Sequence, residues 1–434
     1  MNRLRFAIFV VKRWNNLRKV LEKFVSIVIR TVLITMNSRL IPHATHPACS
    51  FAIKRWGEGN PLKVLCMHGW LDNANSFDAL APALAEKGFE VVCVDHQGHG
   101  KSSPLGPSTS SASYSFAHGV QTIKFVIDAL SRNQNDAEST GGAASSTASA
   151  PLSERWTPYG TPKPSHGTQS TPTVAVSQSV FKTSAVVGST WDKPFCIIGH
   201  SMGASMSLLF SASFPEHVHK LVLIEGFGPM TSPAEKCPAA LRAAILGESK
   251  FREEILSAPK IYPKLSTAIE ARIQVVKLYP GKQYISREAA AAIVGRGARL
   301  LSAADTTKLQ PDLVNDEGHE HSDLVCNLAE GVDPGPVRFR YDPRLMLPSH
   351  VYMTDEQVEG FVHALTCPTL LITAEDGWPA RDPATMAKRA KILQDKGLLT
   401  QEHVPGSHHC HLDPQHKTHV FERIWAFLQT KRET

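Results

Sequence analysis

FCIIGHSMG, residues 195–203, is the stretch of this 434-residue chain that decides its fold. Its first four residues are apolar and predict a short buried strand, and residues 204–214 predict a helix that a proline ends. The turn between them carries Gly-x-Ser-x-Gly. So tight a turn strains the serine backbone, and the two glycines avoid collisions with the strand and the helix. The pattern predicts a nucleophile elbow that exposes the Ser201 hydroxyl and points the Met202 N–H at an oxyanion.

The charge of the chain is unevenly distributed along the sequence. The whole chain has a formal charge of +6, and 42% of its residues are hydrophobic, which is enough for a large core. Residues 1–41 contain nine Lys or Arg residues and one Glu, a local charge of +8, so the remainder carries −2. A remainder so close to neutral gives no basis for nucleic-acid binding, and we expect no nucleic-acid partner.

Residues 1–41 form a basic N-terminal extension that also contains many apolar residues. Its longest apolar run, residues 24–36, is interrupted by Arg30 and is too short and too charged for a transmembrane helix. Three interpretations stay open. The extension is a mitochondrial transit peptide, or it contacts a membrane surface, or it is an over-extended start and translation begins at Met36.

The eight cysteines are scattered along the chain, and none belongs to a CxxC pair. This pattern is typical of reduced thiols in an intracellular compartment. We therefore expect an intracellular protein, mitochondrial if the extension is a transit peptide and otherwise cytoplasmic. The sequence does not indicate an oligomeric state.

A second glycine-containing turn lies upstream of the elbow. Residues 64–67 predict a strand, and HGWLDN, residues 68–73, follows directly. The glycine lets the backbone turn and leaves the next N–H free. We expect the Trp70 N–H to be the second oxyanion donor, beside that of Met202. An ordinary strand-to-helix turn is the alternative.

The loop DHQGHGKS, residues 95–102, follows the next predicted strand. It resembles a phosphate-binding loop only superficially, because the leading glycine of a P-loop is missing. We interpret Asp95 as a structural residue of this loop, and His96 and His99 as ordinary loop histidines.

The predicted organisation is an α/β core interrupted twice. Residues 42–228 form its first part, and within them the Ser, Thr, Ala, Gly and Pro-rich residues 132–190 predict a disordered insertion. Residues 229–365 predict a helical cap, and residues 366–434 complete the core. The helices predicted in the cap include 239–246, 265–279 and 287–301.

The loop between the last predicted strand and the last helix contains three histidines, His408, His409 and His411. A serine hydroxyl needs a base in hydrogen-bond reach, and this loop is where we expect it. His408 follows a glycine by two residues, so we predict that it is the base. A three-histidine metal site is the rival interpretation. We interpret His319 and His321 as residues of a solvated polar loop, with a metal pair as the alternative.

The base in turn needs an acid, and the sequence offers two. Asp376 follows the penultimate predicted strand, although it is one residue away from the usual Gly-x-x-Asp position. Glu225 ends the strand after the elbow. Both satisfy the chain order serine, acid, histidine, so both stay candidates.

Four motifs of this chain resemble those of the serine hydrolase-like proteins of the α/β-hydrolase superfamily. They are residues 64–78, 95–102, 199–203, and 404–408 with His411. The resemblance extends over roughly 42–130, 191–230 and 360–430. It implies an α/β-hydrolase fold, with a mostly parallel eight-stranded sheet, helices on both faces and a helical cap. In that family the strand after the elbow ends in an acidic residue, which favours Glu225 over Asp376.

These observations predict a serine hydrolase that acts on a small-molecule ester or related acyl substrate. Ser201 would attack, His408 would move the proton, Glu225 or Asp376 would orient the imidazole, and Trp70 and Met202 would hold the oxyanion. We expect no metal and no organic cofactor. The rival hypothesis is a non-catalytic α/β-hydrolase fold that binds a ligand, and it would gain if neither carboxylate lay within about 3.5 Å of the His408 ring.

Overall fold

A computed structural model describes eight segments of the chain. They are residues 38–42, 50–106, 114–139, 190–254, 260–301, 323–324, 333–378 and 382–430. Most of the predicted extension and insertion, and the pair His319 and His321, lie outside the described residues. The last residues of the extension are described, and they form an edge strand, Ser38–Pro42.

An eight-stranded sheet forms the centre of the structure. The described strands are β1 (Ser38–Pro42), β2 (Ser50–Trp56), β3 (Leu62–Met67), β4 (Phe89–Val94), β5 (Phe195–His200), β6 (Val218–Ile224), β7 (Ala298–Leu300), β8 (Val337–Phe339), β9 (Thr369–Asp376) and β10 (Leu399–Ser407). The order in the sheet is β1-β2-β4-β3-β5-β6-β9-β10. Strand β2 is antiparallel to both neighbours, and every other adjacent pair is parallel. The predicted mostly parallel sheet is therefore confirmed.

Helices and short 3-10 turns connect these strands. The described α-helices are α1 (Leu80–Glu86), α2 (Phe116–Ser139), α3 (Met202–Ser213), α4 (Cys237–Glu254), α5 (Leu265–Lys277), α6 (Arg287–Gly297), α7 (Asp355–Ala364), α8 (Pro383–Asp395) and α9 (Lys417–Gln429). The 3-10 turns are Ala74–Phe77, Pro215–His217, Ala234–Lys236 and Pro343–Met346. Helix α2 continues into the first residues of the segment that we expected to be disordered.

The sheet has a hydrophobic core on each face because side chains alternate along its strands. In β3, Leu65 and Met67 pack with α2, α3 and α8 on one face, while Val64 and Cys66 pack with α1 and α9 on the other. Central strands β4 and β5 are buried along their whole length, which explains why most of their residues are apolar. Helices thus cover both faces, as predicted.

The cap has a small core of its own. Buried side chains of α5 and α6, among them Leu265, Ile269 and Ile293, pack with Val337 of β8. Strands β7 and β8 form an antiparallel pair that the sequence did not predict. The helix predicted over 287–301 therefore ends at Gly297, because the residues after it pair with β8 instead of continuing the helix.

Helix α7 lies within the predicted cap range but packs on the sheet. Its Val362, with Leu365 just after it, belongs to the same buried cluster as Leu209 of α3. Thr354 begins the helix with a capping box to Gln357, as its sequence pattern predicted. No helix among the described residues is long and apolar enough to cross a membrane.

Candidate active site

Strand β5 ends in a sharp turn at Ser201. The serine backbone has φ 53° and ψ −115°, a conformation that costs free energy for a residue with a side chain. A Cβ atom at Gly199 would lie 2.5 Å from the Ala204 Cα, and one at Gly203 would lie 2.1 Å from the Met67 carbonyl oxygen. Only glycine fits at these two positions, which is the steric reason for the Gly-x-Ser-x-Gly pattern.

The Ser201 side chain meets a histidine from the far end of the chain. Its hydroxyl oxygen lies 2.8 Å from Nε2 of His408, which follows β10 directly. The cap helps to hold this loop, because the His408 N–H donates to Oε1 of Gln283 at 3.1 Å and the Ser407 hydroxyl donates to the Tyr284 carbonyl at 2.7 Å. Gln283 was missed by the sequence analysis, and no local pattern marks it.

The other nitrogen of the His408 ring faces Glu225. Nδ1 of His408 lies 3.0 Å from Oε2 of Glu225, the residue that follows β6. The Glu225 backbone has φ 56°, and its buried carboxylate also accepts hydrogen bonds from the N–H groups of Ala374 and Trp378, both at 2.6 Å. Ser201, His408 and Glu225 thus form a continuous hydrogen-bonded chain.

Asp376, the second candidate acid, has a different environment. It ends β9, pairs with Ser407 in the sheet register, and its main-chain carbonyl accepts from the Gln283 amide. Within the described residues, the Asp376 carboxylate makes no hydrogen bond to His408, and the distance criterion for a triad acid is met by Glu225 alone. The carboxylate that contacts His408 therefore comes from the end of β6, not from that of β9.

Burial shifts the pKa values of both His408 and Glu225. It lowers the pKa of His408 well below its usual value, and the neighbouring His200 and Arg272 lower it further. Burial also raises the pKa of Glu225 to about 7, against the opposite effect of its two backbone hydrogen bonds. Above that pH, a neutral imidazole beside a carboxylate carries its proton on Nδ1 and has Nε2 free to accept the serine proton.

The two expected oxyanion donors lie at neighbouring chain turns. The Met202 N–H begins helix α3, and Trp70 follows the end of β3. The close approach of Gly203 to the carbonyls of Met67 and His68 brings these turns together. Among the described residues, neither the Trp70 nor the Met202 N–H has a hydrogen-bond acceptor. The Trp70 indole donates to the Leu345 carbonyl at 3.0 Å, which connects this turn to the cap.

A buried acid beneath the triad was not assigned by the sequence. Asp72, in the turn that contains Trp70, lies 2.5 Å from Nη2 of Arg272 on α5 and 3.4 Å from Nε2 of His409. Burial would raise the Asp72 pKa, but His409 and Arg272 together hold it well below its usual value. Asp72, Arg272 and His409 thus form a buried cluster. His200 also contacts the loop after β10, because its Nε2 lies 2.8 Å from the His408 carbonyl oxygen.

Asp95 has the structural role that its loop predicted. It accepts hydrogen bonds from the N–H groups of Ala74 and Lys101, and it pairs with the buried Arg296 of α6 at 2.9 Å. Together with the ion pair of Asp72, this contact attaches the cap helices to the core through two buried ion pairs. Breaking either one would leave a charge buried without its partner, which is strongly destabilising.

The three histidines of the loop after β10 diverge rather than converge on one point. His408 faces Ser201, His409 faces Asp72, and the His411 ring lies against that of His200 with centroids 4.1 Å apart. No group of His, Cys, Asp and Glu in the described part of the chain has the geometry of a metal site. Six of the eight cysteines are described, and all six are free thiols.

Comparisons with known proteins match the chain to one superfamily. Residues 63–149 and 178–267 match the family described as α/β hydrolase fold. A serine hydrolase-like protein of Dictyostelium discoideum is 25% identical over 366 residues, 83% of this chain and 74% of that protein. A serine hydrolase-like protein of Mus musculus is 38% identical over 174 residues, 40% of this chain and 35% of that protein.

A solved structure agrees with the same fold. It is that of a hypothetical protein from Pseudomonas aeruginosa, 26% identical with a TM-score of 0.60, and the alignment covers 91% of this chain and 100% of that chain.

Proposed function

Because the chain belongs to the α/β-hydrolase superfamily, where its relatives are serine hydrolase-like proteins, we propose that it is a serine hydrolase that cleaves a carboxylic ester or a related acyl bond. The observation that carries the proposal is the chain of hydrogen bonds from Ser201 through His408 to Glu225, with heavy-atom distances of 2.8 and 3.0 Å. This geometry is within hydrogen-bond reach at both steps, as a nucleophile, base and orienting acid require.

The proposed reaction proceeds through an acyl-enzyme. His408 takes the Ser201 proton on Nε2 as the serine oxygen attacks the ester carbonyl, and Glu225 stabilises the imidazolium that forms. The N–H groups of Trp70 and Met202 would bind the oxyanion, because neither has an acceptor in the described part of the chain and both lie at adjoining turns. The imidazolium then protonates the leaving alcohol, and a water molecule, activated by His408, releases the acid.

A fluorophosphonate probe tests the proposal directly. We expect it to label the wild-type protein at Ser201 and to leave Ser201→Ala unlabelled, with hydrolysis of p-nitrophenyl esters of graded chain length reduced by about 10⁴-fold or more. Ser205→Ala is the matched control, since Ser205 lies one turn further along α3 and is a second serine beside the elbow. A folded wild-type protein that stays unlabelled and hydrolyses no ester of the series would reject the proposal.

The proposed location is intracellular, on the basis of the scattered cysteines and the basic extension. Residues 1–41 fused to a fluorescent protein should direct it to mitochondria if the extension is a transit peptide. A diffuse signal throughout the cytoplasm would reject the mitochondrial interpretation.

A further inference from the structure

A loop of the cap extends to the proposed base. Residues 278–286 connect helices α5 and α6, and Gly281 turns this loop with φ 92°, a conformation that favours glycine. Gly281 and Lys282 are exposed, whereas Gln283, the next residue, is buried with 5% of its surface exposed. Because buried polar groups in proteins are hydrogen-bonded, both ends of the Gln283 amide need partners.

The Gln283 amide finds two main-chain partners. Its Oε1 accepts a hydrogen bond from the His408 N–H at 3.1 Å, and its Nε2 donates to the main-chain carbonyl of Asp376. One partner is a donor and the other is an acceptor, so the two partners fix the orientation of the amide. A methionine of similar length would offer neither group, and a carboxylate would offer no donor.

These two partners belong to the segments that hold the proposed base and acid. His408 is the base, and Asp376 lies two residues before Trp378, whose N–H donates to Oε2 of Glu225 at 2.6 Å. The same Glu225 oxygen lies 3.0 Å from Nδ1 of His408. The Gln283 amide therefore bridges the base and the turn that holds the acid.

Another side chain holds the carbonyl group of His408. It is His200, the residue before Ser201, whose Nε2 lies 2.8 Å from the His408 carbonyl oxygen. A carbonyl oxygen only accepts hydrogen bonds, so this nitrogen of His200 carries a proton. The N–H of His408 is thus held from the cap and its carbonyl from the core, which fixes the point from which the imidazole extends.

Tyr284 adds to the attachment of this cap loop. Its carbonyl accepts from the Ser407 hydroxyl at 2.7 Å, and its own hydroxyl lies 3.0 Å from Nε2 of His416. Residues 283 and 284 therefore make hydrogen bonds along the loop after β10, on both sides of the proposed base. The contact of Gln283 is part of a continuous junction between the cap and this loop.

We propose that Gln283 is a positioning residue, through which the cap holds the imidazole of His408 in line with Ser201 and Glu225. It acts through main-chain groups and does not touch the substrate. A misplacement of about 1 Å in a reacting group costs on the order of 100-fold in rate. This inference rests on the proposed function, because it assigns Gln283 a role in the reaction of Ser201.

The first test is Gln283→Met, which nearly keeps the length of the side chain and removes both hydrogen-bonding groups. We expect kcat for the best p-nitrophenyl ester to fall about 10- to 100-fold with KM unchanged within about twofold, because the base moves and the substrate contacts do not. Gln274→Met is the matched control, since Gln274 is exposed on α5 and hydrogen-bonded to Glu270 of the same helix. It should leave both constants unchanged.

A second readout does not depend on hydrolysis. The Nδ1 proton of His408 is followed by NMR in protein labelled with ¹⁵N at histidine, at about pH 8.5, where the Glu225 carboxyl is ionised. Its absence from His408→Ala assigns the resonance. We expect it to be sharp in wild type and in Gln274→Met, and shifted or broadened in Gln283→Met, because a loosened loop lets the proton exchange with water.

Urea unfolding shows which variants are folded and can be compared. If Gln283→Met does not fold, Gln283→Asn takes its place, because its amide is one methylene too short to reach both partners. We expect the same loss of kcat and the same change of the resonance in that variant.

The outcomes separate this inference from the proposed function. A wild-type protein that is not labelled and hydrolyses no ester rejects the hydrolase, and the resonance alone then decides the role of Gln283. An unchanged resonance in the folded variant overturns the positioning role, whatever happens to kcat. In an active protein, a kcat within about threefold of wild type, or a loss expressed in KM instead of kcat, overturns it as well.

Discussion

Two loops of this protein carry buried histidines, and they place the same side chain in opposite environments. In the loop after β10, both ring nitrogens of His408 have partners, the Ser201 hydroxyl and the Glu225 carboxylate. In the loop after β4, each ring of His96 and His99 has one nitrogen hydrogen-bonded to a main-chain carbonyl and one that has no partner among the described residues. The comparison shows that the hydrogen-bond partner of one ring nitrogen determines what the other ring nitrogen can do.

The physical difference is the chemical nature of the fixing group. A carboxylate can stabilise an imidazolium, so the ring that it holds can accept and return a proton. A main-chain carbonyl only fixes the tautomer, and burial keeps the ring neutral. We therefore expect proton transfer at the first loop and neutral hydrogen bonding at the second, and the predictions below test this distinction.

The largest effect should come from removing the proposed base. His408→Ala should reduce kcat by about 10⁴- to 10⁶-fold, because among the described residues His408 is the group hydrogen-bonded to the Ser201 hydroxyl. The measurement is steady-state hydrolysis of the best ester of the chain-length series. If His96→Gln reduced kcat as much as His408→Ala does, the distinction between the two loops would be wrong.

The next effect should come from the acid that holds His408. Glu225→Gln should reduce kcat by about 10³- to 10⁴-fold, since a neutral amide neither stabilises the imidazolium nor selects the productive tautomer. Asp376→Asn is the matched comparison, and it should change kcat by less than about threefold. A large loss in Asp376→Asn with near-normal activity in Glu225→Gln would reverse the assignment.

A third effect concerns the cluster that supports the loop after β10. Arg272→Met leaves the Asp72 carboxylate buried without its cation and should reduce the free energy of unfolding by about 3–5 kcal/mol. The double variant Asp72→Asn with Arg272→Met should recover more than half of this loss. Urea unfolding provides the measurement.

Arg287→Met is the control for that experiment, because the ion pair of Arg287 with Glu270 is half exposed. It should cost no more than about 1 kcal/mol. An Arg272→Met protein as stable as wild type would show that the ion pair does not hold the cap on the core.

The smallest effect is the pH dependence of the wild-type protein. The pKa of Glu225 is raised to about 7 by burial, so the carboxyl gains a proton as the pH falls through that value. A protonated Glu225 donates to Nδ1 of His408, which leaves the ring proton on Nε2 and blocks proton transfer from Ser201. We expect kcat/KM to fall about tenfold per pH unit below an apparent pKa near 7. A flat profile from pH 8 to pH 5 would contradict this.

Local patterns predicted the parts of the site that depend on neighbours in sequence. The Gly-x-Ser-x-Gly turn was predictable because its glycines avoid steric collisions that arise within the turn itself. The capping box at Thr354 was predictable for the same reason. The end of the helix at Gly297 was not, because strand β7 exists only through pairing with β8, about forty residues away.

The sequence by itself determined that this is an α/β protein with a serine at a strand-to-helix turn and a candidate base near its end. These features follow from hydrophobic periodicity and turn sterics, which act over a few residues. Only the tertiary structure decided that Glu225 rather than Asp376 reaches His408 and that Gln283 and Asp72 support the site. Those contacts join residues far apart in the chain, so their distances depend on how the sheet and the cap pack.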